Sequence, residues 1–301
     1  MITQSRRTTA SRYARRPRSS SAKRNAGLTA LVFLAPALLS VVLLRLIPMI
    51  GSVETAFSVP SGQEIWSNFT FLLSDPNFMQ SLRVTLLFSV IVNPLQIALA
   101  LALAVLLSKK LPAVGVWRAL ILLPAAIPQS VSAIIWMVLM RPDGPFNAFA
   151  VALGLPSVPW LTSPDFALGS IIIVCSWVGV GFWMTFLITG IKDIPESHYE
   201  AAALDGANAW QRFVHITVPG LRRPLLFVFV ADTVANLLVF APVRLLTQGG
   251  PSGSTNLVMH YIFETGYTLG DSHTAAAGTL ILVALVIIIT AVQFRLLPGK
   301  D

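Results

Sequence analysis

Six stretches of about twenty mostly apolar residues recur along the chain, at roughly 28–50, 82–107, 119–140, 168–190, 223–246 and 273–294. A helix needs about 20 such residues to cross the hydrocarbon core of a bilayer, which is about 30 Å thick. The predicted fold is therefore all-α, with six transmembrane helices. Composition agrees: 55% of the 301 residues are hydrophobic and only 11% are charged, against about 25% charged in soluble domains. The first stretch is too long for a signal-peptide core and lacks a small-residue cleavage pattern after it, so it is read as a retained helix.

The positive charges set an orientation. Eight of them precede the first stretch without an acidic residue among them: Arg6, Arg7, Arg12, Arg15, Arg16, Arg18, Lys23 and Arg24. Beside a membrane segment such a tail marks the cytoplasmic side and an anionic lipid surface rather than a nucleic-acid partner. Lys109, Lys110 and Arg118 join that side, as do Lys192, Arg212, Arg222 and Arg223, then Arg295 and Lys300. The opposite connections carry Glu54, Glu64, Asp75, Asp143, Asp165, Glu264 and Asp271. Both termini are expected in the cytoplasm, in a multi-pass protein of the cell membrane. Arg45, Arg83 and Arg244 near the outer membrane ends suit lipid-headgroup snorkelling, and Trp160 suits the membrane interface.

Residues 191–224, IKDIPESHYEAAALDGANAWQRFVHITVPGLRRP, lie on the cytoplasmic side by this count and are more than a connector. Pro195 and Glu196 suit the start of a helix. Ala201, Ala202, Ala203 and Leu204 propagate it, and Gly206 allows a break. Asn208 is a plausible cap for a second helix that Pro219 ends. Two short helices around a glycine suit docking into a groove of another protein. Glu200 would offer a charge there, with Phe213, Ile216 and Val218 forming an apolar side.

Within the spans, Thr85, Ser89, Asn93 and Gln96 recur at helical spacing and share a face, as do Asp232 and Asn236. Two readings stand: they line a polar pathway, or they hydrogen-bond helices together. Trp177, Trp183 and Phe186 could stack on a ligand ring or simply pack. Cys175, the single cysteine, reads as a packing residue. The chain has no phosphate-cradling G-x-x-x-x-G-K-[ST] sequence, no catalytic signature and no metal-ligand spacing among His198, His215, His260 and His273. No catalytic residue, metal or bound cofactor is expected.

Glu200, Ala201, Ala202, Gly206, Ile216 and Pro219 fall in the order and spacing of the E-A-A…G…I-x-x-P signature, within I-P-x-x-x-Y-E-A-A-x-x-D-G-A and W-x-x-F-x-x-I-T-x-P. The segment resembles the EAA loop of permease subunits of ATP-binding-cassette (ABC) importers, carbohydrate branch. Leu246, Thr247, Gly249, Gly250, Pro251 and Thr255 are similar to the L-T-x-G-G-P…T segment of the first, maltose-type permease. The resemblance implies a type I importer permease fold: a permease domain at 26–298, a coupling loop at 191–222 and a basic tail at 1–25. It implies coupling through Glu200 and Gly206, supported by Ala201, Ala202, Asp205, Ile216 and Pro219. It also implies a homologous second permease in a heterodimer, two ATPase subunits that bind ATP and Mg, and an extracytoplasmic binding protein. The cargo would be a sugar or polyol, with Asp232, Asn236, Asn93, Gln96 and Trp177 along its path. A glycerol-phosphate or phosphodiester cargo stays open, as does an ion-coupled secondary transporter.

Overall fold

The computed structural model describes residues 32–59, 64–109 and 111–296. The basic tail 1–25, residues 28–31 of the first expected span, Lys110 and Lys300 lie outside the described residues. Contacts divide the chain into two units, one ending at Ser52 and one beginning at Val53. Among the described residues every regular element is helical.

Helix α1 covers Val32–Phe57. In the second unit follow α2 (Ser67–Ser74), α3 (Pro76–Leu107), α4 (Val114–Leu122), α5 (Gln129–Leu139), α6 (Pro145–Ala152) and α7 (Pro164–Lys192). Then come α8 (Glu196–Leu204), α9 (Ala209–Gly220), α10 (Arg222–Leu237), α11 (Val258–Phe263) and α12 (Ser272–Leu296).

The starts of α3 and α7 show why these residues begin helices. Asp75 and Ser163 cap them through their side chains, and Pro76 and Pro164 occupy the first turn, where a missing N–H costs nothing. At the far end of α3, the Arg118 guanidinium donates from Nε (3.2 Å) and Nη2 (2.5 Å) to the Leu107 carbonyl. A cation there suits the negative end of the helix.

Helices α3 and α7 form the centre. Phe88 and Val92 of α3 pack with Ile171, Val174 and Cys175 of α7 in one buried cluster. Ala100, Ala104 and Leu107 of α3 pack with Met184, Leu187 and Ile188 of α7 in another. Glycines let α7 also approach α4 and α10 closely. A Cβ on Gly181 would sit 2.0 Å from the Ile121 carbonyl oxygen, and one on Gly190 would sit 2.7 Å from Pro224 Cγ. The 32 residues of α3 extend over about 48 Å. Its start adjoins the 248–256 turn, and its end shares a groove with Glu196, Tyr199 and Phe213 of the segment after α7.

Four helices, α1, α3, α7 and α12, are each long and apolar enough to cross a membrane. Two expected spans differ in form. The third is not one helix: Val114–Ala126 and Gln129–Leu139 meet at a 99° bend. Ile127, before Pro128, takes an extended conformation, as the ring of a following proline demands. The fifth, expected over 223–246, is the 16-residue α10, which stops at Leu237. A π-helical turn at Val243–Thr247 follows Pro242. The six expected spans are recovered only if bent pairs are counted as single spans, and one such pair joins α9 to α10 at 70°.

Candidate functional site

The segment after α7 has the helix–turn–helix form that its sequence suggests. Helix α8 starts at Glu196, with Pro195 as its cap residue. Gly206 has φ +80°, a conformation that residues with a Cβ adopt poorly. Asn208 then closes a full capping box: its Oδ1 accepts from Gln211 N at 2.9 Å, and its own N donates to Gln211 Oε1 at 2.8 Å. Pro219 lies inside the last turn of α9 rather than after it. The Tyr199 and Thr217 hydroxyls, 3.0 Å apart, tie α8 to α9.

Glu200, Ala201, Asp205 and Gly206 are exposed, whereas Ala202 and Ile216 are half-buried. A groove of about 1060 Å³ runs along them, with Ala201, Ala202, Asp205, Ile216 and Pro219 in its lining. The expected apolar side differs: Phe213, Ile216 and Val218 are half-buried, while Leu204 is 91% and Trp210 70% exposed.

The polar residues of the spans converge on one buried network. Trp183 Nε1 donates to Asp232 Oδ1 at 2.6 Å. Asn236 Nδ2 lies 2.8 Å from Asn93 Oδ1, 3.1 Å from Asp232 Oδ1 and 3.3 Å from Gln96 Oε1. Thr233 Oγ1 accepts from Asn93 Nδ2 at 3.1 Å and from Gln293 Nε2 at 2.8 Å. Four helices, α3, α7, α10 and α12, thus share one set of bonds. Asp232, Gln96, Asn93 and Asn236 are 1–5% exposed, and Asp232 Oδ2 and Gln293 Oε1 have no hydrogen-bond partner among the described residues. Trp177 is half-buried, 5.7 Å from the Trp136 ring, and lines a separate apolar groove.

Two residues expected at the lipid interface are held by protein. Arg244 pairs with Glu264 and lies 5.2 Å from the Phe263 ring centre. Trp160 packs edge-on between Phe146 and Phe166. The 246–256 segment is a tight knot: Thr247 and Thr255 hydroxyls meet at 2.7 Å, Thr255 Oγ1 donates to Gly250 O, and Gln80 Nε2 donates to Ser252 O.

Comparison with known proteins decides the family. The pattern described as "Binding-protein-dependent transport system inner membrane component" matches residues 96–300. The chain belongs to this family of inner-membrane transport components. Similar relatives include the lactose transport system permease protein of Rhizobium radiobacter, 32% identical, covering 91% of this chain and 96% of that protein. The trehalose/maltose transport system permease protein of Thermococcus litoralis is 34% identical over 76% of this chain and 77% of its own length. The sn-glycerol-3-phosphate transport system permease protein of Brucella suis is 31% identical over 82% and 85%. A bacterial ABC transporter involved in the import of the acidic polysaccharide alginate shares the fold, with TM-score 0.83 at 22% identity over 93% of this chain and 98% of that one.

The protein is therefore a multi-pass membrane permease component, and the ion-coupled alternative falls away. Sequence reasoning missed Thr233 and Gln293 in the network of this permease. Thr233 lies one turn from Asn236, and Gln293 one turn from Thr290, but a single hydroxyl or amide per turn carries no signal of its partner, and only the tertiary fold brings them to Asn93. The exposure of Leu204, a helix former by sequence, and of Trp210, part of the W-x-x-F signature, is likewise visible only in the structure.

Proposed function

We propose that this permease forms half of the membrane pathway of an ABC importer for a sugar or related polyol, and that α8, Gly206 and α9 couple it to an ATPase subunit. One observation carries the coupling reading. A segment ordered by the Asn208–Gln211 capping box projects Leu204 and Trp210 into solvent beside the exposed Glu200 and Asp205. Exposed apolar anchors flanked by charge are the composition of a protein-docking patch. Ala201, Ala202 and Gly206 keep its surface low, and Ile216 and Pro219 shape the groove behind it.

In this reading the docking segment and both termini are cytoplasmic, the partner ATPases bind ATP and Mg, a homologous permease completes the pathway, and an extracytoplasmic binding protein delivers the cargo. The network around Asp232, Asn236, Asn93 and Gln96 supplies the polar part of the path. Its unpartnered acceptors, Asp232 Oδ2 and Gln293 Oε1, suit the hydroxyl donors of a sugar. Trp177 is a stacking surface at the neighbouring groove. The likeness to lactose and trehalose/maltose permeases supports a sugar cargo, and the likeness to the glycerol-phosphate permease supports a second reading, a phosphate ester.

The test uses the assembled importer in proteoliposomes. Glu200→Lys is expected to leave ATP hydrolysis measurable while uptake falls at least about tenfold, the worth of one lost charge-assisted contact reversed in sign. Uptake at the unsubstituted rate would sink the coupling assignment.

A further inference from the structure

At the opposite end of α3 from the docking segment lies a groove of about 770 Å³. Its walls are the α2–α3 junction, the 248–256 knot, α11 and the start of α12. Its charged lining consists of Asp75, Glu264, Asp271 and a single guanidinium, that of Arg244, which is already engaged by Glu264. Asp75 accepts from Asn77 N, Phe78 N and the Tyr261 hydroxyl, the last at 2.6 Å. No cation among the described lining residues is left over for an anionic ligand.

His260 supplies the second observation. It is 3% exposed, lines the groove, and its Nε2 has no hydrogen-bond partner among the described residues. Its Nδ1 stands 3.0 Å from Asn256 Oδ1. An amide oxygen only accepts, so Nδ1 carries the proton and Nε2 is a bare lone pair. Burial holds the imidazole below its ordinary pKa, with Glu264 pulling it up and Arg244 pushing it down. The ring is thus a neutral acceptor at pH 7. A buried acceptor without a donor is costly, and a ligand hydroxyl would satisfy it.

We propose that this groove is a vestibule that accepts a neutral, hydroxyl-rich ligand and turns away anionic ones. Hydroxyls donate to His260 Nε2 and to the carboxylates, and they accept from Asn77, Gln248 and Asn256. The phosphate group of a phosphate ester or the carboxylate of a uronate is acceptor-only, has no proton to offer to His260 Nε2 or the carboxylates, and meets an excess of negative charge. The inference deepens the importer reading and rests on it, since the groove is the outer mouth only if the docking segment is cytoplasmic.

The experiment expresses the whole importer in a host without uptake systems of its own. Labelled lactose, maltose and trehalose are compared with sn-glycerol-3-phosphate and an alginate oligosaccharide. One neutral sugar is expected to accumulate. His260→Phe should raise its half-saturating concentration about fivefold, the loss of one hydrogen bond. Gln248→Lys, at an exposed position, should make the anionic compounds inhibit sugar uptake at least about fivefold better. Accumulation of an anionic compound, uptake of none of the sugars, or no response in either variant overturns the proposal. Glu200→Lys separates the two readings. If it abolishes uptake of a phosphate ester, the coupling assignment stands and the vestibule falls. If sugar uptake persists in Glu200→Lys but still responds to His260→Phe, the vestibule stands within the importer and only the coupling role of Glu200 falls.

Discussion

A methyl group added at Gly181 would collide with backbone, because the Ile121 carbonyl lies 2.0 Å from where a Cβ would sit. Gly181→Ala should therefore cost about 1–3 kcal/mol through overpacking of α7 against α4, read as a lowered thermal midpoint in detergent. Gly169→Ala on the same helix, with nothing within 4 Å of its Cβ, should leave that midpoint in place. Asp232→Ala strands the Trp183 Nε1 donor and removes an acceptor from Asn236. About 1–3 kcal/mol is expected from those orphaned groups, in the same assay. His260 adds a pH dependence. Its folded pKa lies below the ordinary 6.5, so as pH falls past about 6.5 the unfolded chain takes up the proton first and stability drops. Melting curves taken between about pH 7.5 and 5.5 should show this fall, and His260→Phe should flatten it.

At the scale of elements, α9 depends on its cap. Asn208→Ala removes the acceptor for Gln211 N and should weaken the helix by about 1 kcal/mol, seen as faster amide exchange at 209–212 with the spans unaffected. This loop was the most legible part of the sequence because its determinants are local: Pro195, Gly206 and Asn208 each act within a few residues of themselves. The spans were legible in number and kind but not in shape. A running count of apolar residues passes through Pro124, Pro128 and Pro242 without noticing that each removes a backbone donor. The stripe of Thr85, Ser89, Asn93 and Gln96 was legible as a face from its spacing. What that face meets was not, since Thr233 and Gln293 are 140 and 200 positions away from Asn93 in sequence and only long-range packing joins them.

For the whole molecule, the uneven distribution of lysine and arginine predicts which way the chain lies in the membrane. Leu204→Cys, 91% exposed in the parent, should react with an impermeant maleimide only after cells are opened. Asp143→Cys, whose parent side chain is 79% exposed, should react in intact cells. The buried Cys175 should stay silent in both cases.

The 99° bend between the two halves of the third span has a consequence for what must surround it. The segment Gln129–Leu139 has 11 residues, a length of about 17 Å, which cannot traverse about 30 Å of hydrocarbon. If the pair lies within the bilayer, the kink brings helix ends, with their unpaired amides and carbonyls, to a depth where lipid tails offer no hydrogen bonds. Acyl chains cannot seal such a place. Another polypeptide or a column of water has to border it, and that requirement alone marks one flank of the molecule as unfit to face lipid.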